Sequence, residues 1–427
     1  MKRIVLFLAA LLVATQVPAA EDLTALATQA VSSDPALARS AQDQLRAAGP
    51  AGLEALTAQF APQIATHRQG APSDDPWKKI AAALNHVSAQ YDDYASGLYW
   101  YTDLEKAKAA SGATGRPILS LRLLGNLDTD LSCANSRFFR TTLYPNSDIG
   151  KLLRERFILH WASVRPVPVV TIDFGDGRQL TRTVTGNSIH YILDSQGRVV
   201  DALPGLYRPS AFLSELRQIA DALAALPHPD AAAYAAYRTA TSQRLRVAWA
   251  DDLEKISKAF AFGQEPSVAR LKSLTTDQTW EAISHLPSNQ AQLDDSSLRL
   301  IANKMPSAVT AAPIAVSKCV VEAPLVRSLR LLKDHIALDS VRNNYQYRAE
   351  ILDHLDSLRT PSLPEINNWV YTTIFLTPPS DPWLGLAPVD AFAAIDQDGK
   401  VQPALASSFP AAPRMELRSE PATIPLK

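Results

Sequence analysis

Cys133 stands in the stretch LSCANSRFFR (131–140) and is one of two cysteines in the 427-residue chain, the other being Cys319. Three positions on, where a Cys-x-x-Cys motif would carry its second sulfur, the chain has Ser136. A helix is predicted to begin near Cys133. A thiol at such a start faces backbone N–H groups that lack intrahelical partners and the positive end of the helix dipole, and both favour thiolate. Ser136 could donate a hydrogen bond to the sulfur, and Arg137 and Arg140, one turn and nearly two turns on, could add positive potential. A monothiol can attack a disulfide but cannot resolve the mixed disulfide alone. The chemistry open to Cys133, Ser136 and Arg137 is therefore disulfide isomerisation, exchange with small thiols, or redox sensing through a sulfenic acid. Two other readings stay open. Free cysteine commonly packs as a small buried hydrophobe. Alternatively, a Cys133–Cys319 disulfide would close a long loop, worth about 4–5 kcal/mol if unstrained.

Other chemistries find little footing. The eight histidines are scattered and never form the His-x-x-x-His pattern with an intervening glutamate, so no zinc protease site and no metal is predicted. His160 and His190 fall in predicted strands of one sheet and could approach each other, although strand histidines among apolar neighbours are commonly core residues. Asp173, Asp176 and the turn Asp396-x-Asp398-Gly399 lack the twelve-residue calcium-loop pattern and read as hairpin turns. There is no Gly-x-Ser-x-Gly and no phosphate loop, and no cofactor is called for. A formal charge of −1 without a basic cluster gives no support for nucleic-acid binding.

The N-terminus bears on compartment. Lys2 and Arg3 precede the apolar run IVLFLAALLVA (4–14), and small residues follow at Val17-Pro18-Ala19-Ala20. That order is the layout of a secretory signal peptide over residues 1–20, and the run is too short to cross a bilayer. No later segment offers about 18 consecutive apolar residues. The expectation is a secreted or periplasmic protein with no transmembrane segment after signal removal.

The elements that must position Cys133 follow from periodicity. Residues 21–97 read as short amphipathic helices, with Pro35 and Pro50 where a first turn tolerates proline. The pattern changes over 98–226. Thr102 and Glu105 form a predicted capping box opening a helix through about Ala110, ended at Gly112. PILSLRLL (117–124) and ILHWASV (158–164) are predicted strands on either side of helices near Cys133 and over 149–157. Two hairpins follow, around Gly175-Asp176-Gly177 and Ser195-Gln196-Gly197, and a helix over 209–226 closes the unit. A strand–helix–strand crossover requires a parallel pair, and the last hairpin adds antiparallel strands. Residues 227–379 are again helical, and 380–427 form a proline-containing tail with a possible hairpin at Asp398-Gly399. The fold class is α/β, a small mixed sheet with flanking helices between helical N- and C-terminal regions.

TDLEKAKAASGATGRPILSLRLL, the position of Cys133 one loop after that strand, FILHWASV, and VTGNSIHYILDSQGRVVDALPG with Asp194, Gly197, Arg198 and Gly205 together resemble the thioredoxin-like superfamily. The resemblance covers about residues 98–226. It implies that Cys133 occupies the place of the attacking cysteine and Ser188 that of the family's cis-proline. Ser136 stands where the family has its second cysteine, which leaves a monothiol Cys-x-x-Ser. Two functions follow as expectations. One is a non-redox or weakly redox binding and interaction module of the bacterial envelope with a protein partner. The other is a monothiol oxidoreductase or isomerase acting on a thiol or disulfide substrate through Cys133, with Ser136 and Arg137 tuning the thiolate.

Overall fold

The computed structural model describes residues 20–183, 186–226, 229–260, 276–294, 297–298, 300, 332–358 and 362–381. The predicted signal segment up to residue 19, Cys319 and the Asp398-Gly399 turn lie outside the described residues. The chain divides into two units, Met1–Asn367 and Asn368–Lys427. The described part of the second unit holds a π-helical turn, Val370–Ile374, in which the Phe375 N–H donates to the Val370 carbonyl at 2.9 Å.

The first unit opens with helices α1 (Ala20–Gln29), α2 (Pro35–Ala47), α3 (Pro50–Gln59), α4 (Ala61–Arg68) and α5 (Asp75–Ser88). Side chains set their starts. The Asp34 carboxylate accepts from the Ala36 and Leu37 N–H groups at 2.9 and 3.4 Å, and Pro35 occupies a first-turn position that needs no N–H donor. Asp74 likewise accepts from the Trp77 N–H at 2.8 Å. Leu45, Leu56, Leu84 and Val87 fill the helical core. Gly52 lets α3 lie against α2, because a Cβ at that position would stand 1.9 Å from the Leu45 carbonyl oxygen.

Helix α6 (Leu104–Thr114) departs from its sequence reading at both ends. Asp103, not Thr102, is the cap: its carboxylate accepts from the Glu105 and Lys106 N–H groups at 2.8 and 3.3 Å. Thr102 instead accepts from Arg46 at 3.2 Å. The helix also runs past Gly112 to a left-handed cap at Gly115 (φ 70°), the conformation glycine adopts without a steric cost.

The sheet is mixed, in the order β2-β1-β5-β6, from β1 (Ile118–Leu124), β2 (Ile158–Arg165), β5 (Ser188–Leu193) and β6 (Val199–Pro204). β1 pairs parallel with β2 and antiparallel with β5, and β5 pairs antiparallel with β6. The crossover from β1 to β2 carries α7 (Ala134–Phe138), a π-helical turn (Phe139–Leu143) and α8 (Ser147–Arg156). β1 reads ILSLRLL, nearly unbroken apolar sequence, as a strand covered on both faces does. A separate two-stranded arm, β3 (Val169–Asp173) and β4 (Gln179–Thr183), leaves Val169, Val170, Ile172 and Phe174 exposed. Both predicted hairpins are present. Helix α9 (Pro209–Ala224) follows β6.

The helices α10 (Ala231–Phe260), α11 (Thr276–Ser284) and α12 (Arg348–Ser357) follow, the last continuous with a π-helical turn, Asn343–Tyr347, and a helix over 332–342. Arg348, fully buried at the start of α12, ties that helix to the sheet and to α9. Its guanidinium donates to both Asp201 oxygens at 3.0 and 2.6 Å and to Glu215 on α9 at 2.5 Å. Arg244 also pairs with Glu215 at 2.6 Å, and the Tyr237 hydroxyl donates to Asp201 at 2.5 Å. Among the described residues no helix is long and apolar enough to cross a membrane.

Candidate functional site

Cys133 lies at the boundary between the loop after β1 and α7, in extended backbone (φ −60°, ψ 160°). It is the N-cap of α7. Its sulfur accepts the Ser136 backbone N–H at 3.4 Å, the only hydrogen bond to the sulfur among the described residues. The Ser136 hydroxyl does not reach the sulfur. It donates to the Cys133 carbonyl at 2.8 Å, so the expectation that this hydroxyl tunes a thiolate is corrected. The Cys133 N–H donates to Leu124 at the end of β1 at 3.3 Å, which fixes the cysteine to the sheet.

The arginines also serve other groups. Arg140 is buried and pairs with Asp92 from the helical layer at 3.2 Å. It donates further to the Ser132 hydroxyl and the Asp130 carbonyl at 3.0 and 3.3 Å, and it lies over the Tyr91 ring at 5.1 Å. Its charge therefore organises the loop ahead of Cys133. Arg137 is half-buried and makes no ion pair among the described residues. Its like charge helps lower the pKa of Arg140, after burial.

Cys133 has no exposed surface. Three contacts close the corner over it. The Thr183 hydroxyl donates to the Ser132 carbonyl at 3.1 Å, and the Asn135 side-chain amide donates to the Ser188 hydroxyl at 3.1 Å. Between them Gly186 lies on the first turn of α7: a Cβ there would come within 2.8 Å of the Asn135 nitrogen and 3.0 Å of the Ala134 nitrogen. The space in front of the helix start is thus occupied by backbone. No cis peptide bond occurs among the described residues, Ser188 included.

Behind the cysteine lies an aromatic cluster that sequence reasoning did not assemble. The Tyr144 hydroxyl and His190 Nε2 share a hydrogen bond at 2.8 Å, and Phe139 and Phe212 flank the imidazole at 4.7 and 5.1 Å. Burial pushes His190 down to about 3, so the ring is neutral, and its Nδ1 has no partner. Burial holds the Tyr144 phenol well above its ordinary range. Neither group hydrogen-bonds the sulfur, so neither is positioned as its base. TTLY followed by PNS was the available signal: an aromatic one helical stretch after the cysteine, just before a new cap at Asn146, which accepts from Asp148 and Ile149.

His160 and His190 do not meet. β1 runs between their strands, and the register puts His160 opposite Ser120 but His190 opposite Leu121, on the other face. His160 Nδ1 and the Ser120 hydroxyl share a hydrogen bond at 2.9 Å. Burial, aided by Arg122, pushes His160 down to about 3. A base whose folded pKa is depressed takes up a proton on unfolding, so its contribution to stability is present above the ordinary pKa near 6.5 and is lost as pH falls towards 3. Urea unfolding of the native chain and of His160→Asn checks this. Between pH 6 and 4 the native chain is expected to lose about 1.4 kcal/mol per pH unit more than the variant. Parallel curves would refute a neutral buried His160.

No group of three or more histidine, cysteine, aspartate or glutamate side chains forms a metal set among the described residues. Comparison with family models, with curated proteins and with solved structures gives no match for the chain.

Proposed function

We propose that this chain is an exported, thioredoxin-fold binding module of the bacterial envelope that carries out little or no thiol–disulfide chemistry. The strand order β2-β1-β5-β6, with a helical crossover from β1 to β2 and a closing hairpin and helix, supports the fold part of this reading. The charged, apolar and small-residue order of residues 1–20 supports export. The observation that carries the functional part is the closed corner. Cys133 is fully buried beneath Gly186 and Thr183, and Ser136 and Arg140 are committed to the backbone and to Asp92. Disulfide exchange needs the attacking sulfur in line with a disulfide, and the contacts of Thr183, Gly186 and Ser188 with the start of α7 leave no such approach in this reading.

One feature favours the alternative, a monothiol oxidoreductase or isomerase: Cys133 caps α7, and its sulfur accepts a helix N–H. The two readings separate in an exchange assay with a fluorescently labelled glutathione disulfide. The native chain is expected to match the Cys133→Ala variant in rate. Turnover that is lost on Cys133→Ala would establish the monothiol enzyme instead.

A further inference from the structure

A second concave site lies away from the cysteine, between α3, α4 and α8 and the start of β2. It is a cleft of about 640 Å³, within the range that holds small organic ligands. Three guanidiniums reach its wall. Arg68 donates to the Tyr94 and Ala95 carbonyls at 2.7 and 3.3 Å, Arg154 to the Ser96 carbonyl at 2.9 Å, and Arg116 to the Arg154 carbonyl at 2.8 Å. These bonds use one side of each fork and leave N–H donors over. None of the three is ion-paired among the described residues. Neighbouring arginines are paired: Arg156 with Asp221 at 3.0 Å and Arg140 with Asp92 at 3.2 Å.

The positive charge is not cancelled from below. Asp93 is the acid nearest Arg68 and Arg154 in effect, and it is fully buried under the turn they cap. Its carboxyl accepts from the Leu98 N–H at 3.0 Å, its second oxygen has no partner, and burial pushes it up to about 8. The group is neutral at pH 7. Burial foremost lowers Arg68, with Asp93 opposing and the like charge of Arg154 adding to the shift, so the two guanidiniums stand close enough to feel each other. The rest of the wall is mainly apolar or aromatic, with Leu53, Leu153, Phe157 and Leu159 and with Tyr99 and Tyr101 edge to face at 5.1 Å, and it carries one acid, the exposed Glu54 on α3, against the three guanidiniums.

We infer that this cleft binds an amphipathic organic anion, with a carboxylate or phosphate head on Arg154, Arg68 and Arg116 and an apolar body against Leu53, Phe157 and Leu159. Planar guanidinium forks suit such heads, and partial desolvation strengthens the contact. The inference does not depend on what Cys133 does.

Isothermal titration of the full chain with monomeric decanoate tests it, with decyltrimethylammonium as the cationic counterpart. Saturable binding of decanoate and none of the cation is expected. Arg116→Gln with Arg154→Gln is expected to weaken binding by at least about tenfold, roughly 1.4 kcal/mol. Those arginines also cap backbone carbonyls, so Ala58→Trp is the second variant: it fills the cleft from an exposed position on α3 and leaves the caps in place. Circular dichroism verifies folding of each variant. Flotation with phosphatidylglycerol vesicles identifies the source of the head group. Vesicle binding lost in Ala58→Trp points to a lipid, and decanoate binding without vesicle binding points to a free anion. Absence of saturable binding to either probe, equal affinity for the cation, or undiminished affinity in folded Ala58→Trp would overturn the inference.

Discussion

Replacing Arg348 with alanine is expected to lower the unfolding free energy by about 3–5 kcal/mol, as removal of one member of a buried ion pair commonly does. Arg348 is fully buried and holds two carboxylates, Asp201 on β6 and Glu215 on α9. Alanine would leave Asp201 with only the Tyr237 hydroxyl and its own neighbouring Ala202 N–H, and Glu215 with Arg244 and Asn344. Glu215 gives the loss a pH signature. Although burial alone would raise it, Arg348 and Arg244 together bring it down to about 2. A carboxylate with a depressed folded pKa contributes stability that is present above its ordinary value near 4.5 and is lost as pH falls towards 2. The gap between the native chain and Arg348→Ala is therefore widest above about pH 5 and narrows in acid. A triple variant, Arg348→Met with Asp201→Asn and Glu215→Gln, removes all three charges and is expected to recover part of the loss. Denaturant unfolding at several pH values reads all of this, and a gap that does not change with pH would count against the network as described.

Gly52→Ala is expected to cost about 3 kcal/mol, at the upper end of overpacking effects, despite alanine's better helix propensity. The added Cβ would meet the Leu45 carbonyl oxygen at 1.9 Å and the carbonyl carbon at 2.7 Å. Both are backbone atoms inside α2, so no rotamer change relieves the contact and the two helices must separate. Separation opens the layer built on Leu45, Leu53 and Leu56. The reading is a lowered midpoint in thermal or urea unfolding, with hydrogen exchange in α2 and α3 accelerated more than in β1. A stability unchanged from the native chain would contradict the close approach of α2 and α3.

Much of the central architecture was legible because its signals are local. The strands show alternating or continuous apolar patterns, and their turns carry glycine where positive φ is required, as at Gly175, Gly177 and Gly197. The start of a helix at Cys133 was legible too. The state of the site was not, because distance in sequence hides what closes it. Gly186 reaches Asn135, and Arg140 turns to Asp92 in a separate helical layer. Whether His160 and His190 meet depends on β1 lying between them, a matter of strand order. The anchoring of α12 rests on Arg348 finding Asp201 and Glu215, neither of which stands near it in the chain. At α6 the error was smaller: two adjacent residues could cap the helix, and aspartate took the position with threonine turned to Arg46.

The central claim is that the corner holding Cys133 is closed in the folded protein. Its most direct measure is the rate at which iodoacetamide labels Cys133 at pH 8, read from the Cys133 peptide by mass spectrometry in the native and the urea-unfolded chain. A fully buried thiol reacts only through opening, so native labelling is expected to be slower by about a hundredfold or more, the factor that a local opening free energy of about 3 kcal/mol imposes. Native labelling as fast as that of the unfolded chain would show an open, reachable thiol and contradict the account.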